Sequence, residues 1–162
     1  MNTEDKESDA LKVMVARILD VIDLVKGTAI RECPPDMAWS GWRNYLCIRL
    51  GGVDELHMLI PKVKRLEPLD GVDAWRAILK LLRENMDDIQ AELRRDMLGE
   101  GFDEVSVQNL KSQLAGAHWV LGLVEVSAEC KLAEAEEKSA SENTKTKKNE
   151  NRRRKRNSQT VR

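Results

Sequence analysis

The chain has 162 residues, enough for one domain with a hydrophobic core and a smaller appendage. Its 41% apolar and 34% charged content suits an elongated helical protein, or a compact body with a polar end. No run approaches the ~18 apolar residues of a membrane span, and the acidic opening Met1-Asn2-Thr3-Glu4-Asp5 lacks the basic start of a secretory signal. Membrane insertion and secretion are therefore not expected.

In chain order, residues 6–26 form the first periodic segment. Leu11, Val15, Ile18, Ile22 and Val25 share one face, widened by Met14, Leu19 and Val21. A stripe that broad calls for more than one covering neighbour. Asp5 or Ser8 caps the start of this helix and Gly27 is its expected end. Pro34-Pro35 then marks an extended linker, because the second proline pushes the first out of helical geometry.

A short helix is expected from Asp36 or Ala38 to Leu50, with Trp39, Trp42, Leu46 and Leu50 on one side. Gly51-Gly52 reads as its break, and residues 53–60 as two further turns before Pro61. Residues 1–66 thus predict a small N-terminal cap of three helices. Its size makes a marginal domain alone, so it should pack on the base of the helices C-terminal to it.

Those helices are two and long, at about 70–98 and 104–138. In the first, Val72, Trp75, Leu79, Leu82, Met86, Ile89 and Leu93 step alternately by 3 and 4. In the second, Val107, Leu110, Leu114, Ala117, Leu121, Val124 and Ala128 do the same. Such a step keeps one narrow apolar seam facing a partner helix, as in a coiled coil. Asp70 is a capping residue, and Gly99 and Gly101 permit a tight reversal between the two. The expectation is an all-α fold: a long antiparallel helical hairpin, an N-terminal helical cap and a basic C-terminal tail. Polar and β-branched residues nowhere alternate in the manner of a strand.

Ala115, Gly116, Ala117 and Gly122 cluster in the second long helix. A glycine there costs about 1 kcal/mol relative to alanine, which a close backbone contact can offset. Trp119 lies off the main seam, where it meets either the cap helices or a second subunit. Residues 139–162 form the third region, of which 139–151 is polar, low in complexity and expected to be disordered when free.

The charge is segregated. Of 27 basic and 28 acidic residues, nine and two fall within 141–162, which leaves 18 and 26 for the rest. An acidic body thus carries a cationic end. Lys145, Lys147, Lys148, Arg152, Arg153, Arg154, Lys155 and Arg156 are the candidate binding residues. They suit a phosphate-lined polymer, whose neutralised phosphates release condensed counterions. No aromatic residue interleaves with them to stack on bases, so no sequence readout is expected. An acidic protein surface or an import receptor would answer the same charges, and an idle solvated end is the plainest alternative.

Nothing points to a reaction. His57 and His118 offer no ligand pair, so neither metal nor cofactor is expected. Cys33, Cys47 and Cys130 are odd in number and lack a C-x-x-C spacing, which favours reduced thiols and an intracellular setting, a virion included. Asp87, Asp88, Glu92 and Asp96 interleave with Arg83, Arg94 and Arg95 as solvated helix charges do. No glycine carries a phosphate-loop framing. Trp39, Trp42 and Trp119 are candidates for a protein interface, weighed against a role as core anchors.

Two readings therefore stand. One is a non-enzymatic helical interaction or assembly protein, self-associating through the hairpin, whose tail engages nucleic acid or another polyanion. The other is a viral or phage-type assembly factor, a scaffold or internal virion component, whose tail docks on an acidic protein surface.

Overall fold

The computed structural model describes residues 9–31, 39–95, 101 and 103–159, with the backbone alone for residues 30, 39–44, 47 and 147–159. Among the described residues the fold is all-α: α1 (Asp9–Arg31), α2 (Trp39–Lys64), α3 (Gly71–Arg94) and α4 (Glu104–Gln159), with no strand.

One core draws on all four helices. Leu11, Ile18 and Ile22 of α1 meet Leu56, Leu59 and Val63 of α2, Ile78 and Leu82 of α3, and Val120, Leu121 and Val124 of α4. Each of these side chains is almost wholly buried, and removing such a group from water stabilises by about 1.5–3 kcal/mol. The seam of α3 faces inward as its spacing predicts: Trp75, Leu79, Leu82 and Ile89 are buried, and Val72, Met86 and Leu93 are half-buried. On α4, Val107, Ala117, Leu121, Val124 and Ala128 are buried, with Leu110 and Leu114 half-buried.

Three ion pairs tie α3 to α4. Arg76 meets Glu136 at 2.7 Å, and Arg83 meets both Glu125 and Glu129 at 2.7 Å. The α3 numbers rise as the α4 numbers fall. At half-exposed positions such pairs contribute little energy and mainly specify register.

Helix ends follow local chemistry. Asp70 caps α3, its carboxylate accepting from the Gly71 amide at 2.7 Å. Asp103 caps α4, accepting from the Ser106 amide at 2.8 Å and the Ser106 hydroxyl at 2.9 Å. Gly101, at φ 84°, makes the left-handed step expected in the reversal before it. Gly99 lies outside the described residues, as do the Pro34-Pro35 linker and the proposed caps Asp5 and Ser8.

Three expectations are corrected. Helix α1 does not stop at Gly27 but continues to Arg31. The extra turn buries Ala29 completely, and Thr28 and Arg31 bond back to the carbonyls of Leu24 and Gly27. Gly51-Gly52 is no break: α2 is one helix of 26 residues with Pro61 inside it, so among the described residues the N-terminal part holds two helices and not three. The reason is tertiary. Gly51 and Gly52 face Gln113, Ala117 and Val120 of α4, while Gly116 of α4 faces the Ile48 carbonyl of α2. A Cβ at Gly51 would stand 2.5 Å from the Gln113 carbonyl oxygen, and one at Gly116 would fall onto that of Ile48. The two helices approach so closely because these side chains are absent, and that packing outweighs the low helix propensity of glycine. Finally, the backbone of α4 runs on past 138 to Gln159, in place of the expected disorder. No glycine or proline follows Gly122, and Ser141, Thr144 and Thr146 turn their hydroxyls onto carbonyls of the preceding turn.

Candidate functional site

The cationic end is the C-terminal extension of α4. From Glu136 to Thr146 every residue is exposed, so this part of the helix has left the core. Lys145 stands on it with its side chain in solvent. Lys147, Lys148, Arg152, Arg153, Arg154, Lys155 and Arg156 follow on helical backbone, and their side chains lie outside the described residues. Lys145, Lys148, Arg152 and Lys155 step by 3, 4 and 3, a spacing that helical backbone keeps on one side.

A cleft of about 500 Å³ opens at the root of this extension. Asp9, Asp70, Asp73, Lys138 and Glu142 line it, with the buried Trp75 behind. Its charges are mostly negative, opposite to those a few residues further along the chain. Asp70 is already engaged as the cap of α3, and Asp73 lies 4.0 Å from Arg76.

A second cluster lies mid-way along α4. Trp119 is 42% exposed, and the Arg49 guanidinium lies 5.3 Å from its ring centre and 5.5 Å from that of Tyr45. One cation over two rings holds α2 to α4 through attraction to their negative faces. The Tyr45 hydroxyl is buried with no hydrogen-bond partner among the described residues. Trp119 thus meets α2, as one of the two alternatives read for it expects, and still shows a large apolar surface. Trp39 and Trp42 open α2, and their side chains lie outside the described residues.

Sequence reasoning places Arg49 near Trp39 and Trp42 but misses its stack on Trp119, and it misses Val126. Arg49 is four residues from Tyr45, a spacing that puts both on one helical face, but its stacking on Trp119 depends on how α2 and α4 meet. Val126, 60% exposed, is seven residues beyond Trp119 and so on the same side of α4, a repeat hidden behind the stronger inward seam.

The titrations seen are local. Hydrogen bonding to Glu125, with Glu129 adding to it, holds the Arg83 guanidinium pKa above its ordinary value. The Ser106 amide and hydroxyl hold the Asp103 carboxyl below the usual carboxylate range. His57 is exposed, His118 half-buried and Cys130 exposed. Among the described residues no three His, Cys, Asp or Glu side chains are grouped to hold a metal ion, and no helix is long and apolar enough to cross a membrane. Cys33 lies outside the described residues, and of Cys47 the backbone alone is described.

Comparison with known proteins gives no match, whether to a protein-family model, to a curated protein or to a solved structure.

Proposed function

We propose that this chain is a non-enzymatic helical assembly protein: α3 and α4 form an antiparallel hairpin capped by α1 and α2, and its cationic end engages nucleic acid or another polyanion. The observation that carries the reading is the segregation of charge. Nine basic residues against two acidic ones are gathered in 141–162, beyond a body in which acidic residues outnumber basic by 26 to 18. Cations so concentrated, and without aromatic residues among them, bind phosphates as charges and read no sequence.

The test is fluorescence anisotropy of a labelled oligonucleotide against the full chain at several salt concentrations. With about five phosphates neutralised, the logarithm of affinity should fall with the logarithm of salt at a slope of about −4.5 on duplex DNA. Replacing Arg152, Arg153, Arg154, Lys155 and Arg156 by Gln should remove most of that slope. Undiminished binding by this variant would remove the polyanion from the proposal.

The same segregation supports a second reading, a scaffold or internal virion component whose cationic end docks on an acidic protein surface. The acid-lined cleft beside Glu142 favours it to this extent: the fold itself builds a surface of the complementary sign. Binding to an acidic protein with none to nucleic acid at equal salt would select this second reading.

A further inference from the structure

We propose that the outer face of α4 is a self-docking surface on which a second copy of the chain packs antiparallel, Trp119 of each copy seated over Gly122 of the other. The proposal deepens the assembly reading, rests on its helical body alone, and does not involve the cationic end.

The face is defined by what it lacks. Ala115, Trp119, Gly122, Val126, Cys130 and Ala133 step by 4, 3, 4, 4 and 3 along the side of α4 turned away from the core. Ala115, Trp119, Val126, Cys130 and Ala133 are exposed and Gly122 is half-exposed, with no charged residue among them over about 27 Å of helix. The outward face of α3 differs: it exposes Lys80, Glu84 and Asp87, and the apolar residues exposed on α1 (Val13, Leu19 and Leu24) are interleaved with Lys12, Arg17, Asp20 and Asp23. A helix that is apolar on both sides belongs inside something larger.

Gly122 supplies an independent reason. Helix α4 contains two glycines, and contact within the chain explains one of them. Gly116 cannot carry a side chain without striking Ile48, whereas a Cβ on Gly122 would meet nothing nearer than the Met86 methyl at 4.0 Å. Its propensity cost of about 1 kcal/mol is therefore not offset inside the chain. A notch beside an exposed tryptophan is the complement of that tryptophan.

The order of sizes selects the occupant. Read along α4 the first four residues of the face run small, large, small, large: Ala115, Trp119, Gly122, Val126. Reversed, the order is large, small, large, small. A twofold axis passing between residues 120 and 121 therefore sets Trp119 against Gly122 and Ala115 against Val126, each pair occurring twice. The same axis sets Lys111 opposite Cys130 of the second copy, one residue from Glu129. Lys111 has no ion pair among the described residues, and the flank it meets is acidic, since the single cation Arg83 answers both Glu125 and Glu129. Glu104 and Glu137, which would repel across the axis, stand about 25 Å from it, where crossing helices have diverged. An interface one helix wide is at the low end of specific contacts, so the dimer should dissociate in the micromolar range.

Sedimentation equilibrium of the full chain at about 10–100 µM, in salt and without nucleic acid, should show a monomer–dimer equilibrium. Trp119→Ala and Gly122→Leu should each weaken it by roughly tenfold or more. Gly122→Ala should weaken the dimer while raising or preserving the thermal midpoint of the monomer, a pair of changes that misfolding cannot produce. Orientation is read with Ala115→Cys/Val126→Cys, whose two thiols are about 16 Å apart along one helix. Mild oxidation and peptide mapping should give a 115-to-126 link between copies. Links of 115 to 115, or of Cys130 to Cys130, would mean parallel pairing and overturn the arrangement. A wild-type chain that stays monomeric at 100 µM would hand this face to some other partner and overturn the proposal. Oligonucleotide anisotropy on the same samples keeps the two proposals separable, because either can fail alone.

Discussion

Glycine shows how one residue type carries opposite meanings. Gly51 and Gly52 look like punctuation because glycine weakens a helix, yet in α2 they are the places where α4 comes close. Which role applies depends on a backbone more than sixty residues away, so local spacing cannot decide it. The cluster at Ala115, Gly116 and Ala117 is legible, because small residues inside a long apolar helix have few other uses. Gly116→Ala should destabilise the fold by about 2 kcal/mol or more, since the new methyl must displace Ile48 backbone, and denaturant titration will measure it. Asp103 gives a pH-dependent counterpart. Its folded pKa is depressed by the Ser106 amide and hydroxyl, so its stabilising effect is fully present above the ordinary aspartate pKa. That effect disappears as pH falls through the folded value. Asp103→Ala should therefore lower the thermal midpoint at neutral pH, and the gap between variant and wild type should close in acid.

At the scale of elements, the inward faces of α3 and α4 are legible directly. Leu79, Leu82 and Leu121 sit on a strict spacing, and water exclusion at those positions leaves the chain little choice. Leu82→Asp places a charge where the wild-type side chain has no exposure at all. Losing the leucine and burying the carboxylate should together cost about 4 kcal/mol or more, comparable with the net stability of a small domain. Circular dichroism should show loss of helicity at ambient temperature. Helix α2 is harder to read, because Pro61 and the glycine pair each suggest a break that burial of Leu56, Leu59 and Val63 overrides. The outward stripe of α4 is harder still. Its residues share a helix with a stronger inward seam, and the two patterns blend until the burial of each position is known.

Considered whole, the molecule gathers nine of its 27 basic residues in 141–162, beyond its core. The cationic end is legible as composition, because nine basic residues in one short stretch need no fold to be noticed. Its attachment is not. Low complexity predicts a loose appendage, whereas the backbone of α4 passes from core to cationic end without a break. Of the candidate site, the charges can be read from sequence, while the acid-lined cleft and the Arg49–Trp119 stack require several helices to be in place.

An unbroken rod of backbone has a mechanical consequence. From Ala135, the last α4 residue packed on the core, to Arg152 is 17 residues, or about 26 Å of stiff spacer. Any twist of α4 where it is gripped by its neighbours turns the far end through the same angle. A single inserted residue between them would swing the cations by about 100° while leaving their number unchanged. A ligand that senses only total charge would not register that rotation, and one with a shaped surface would.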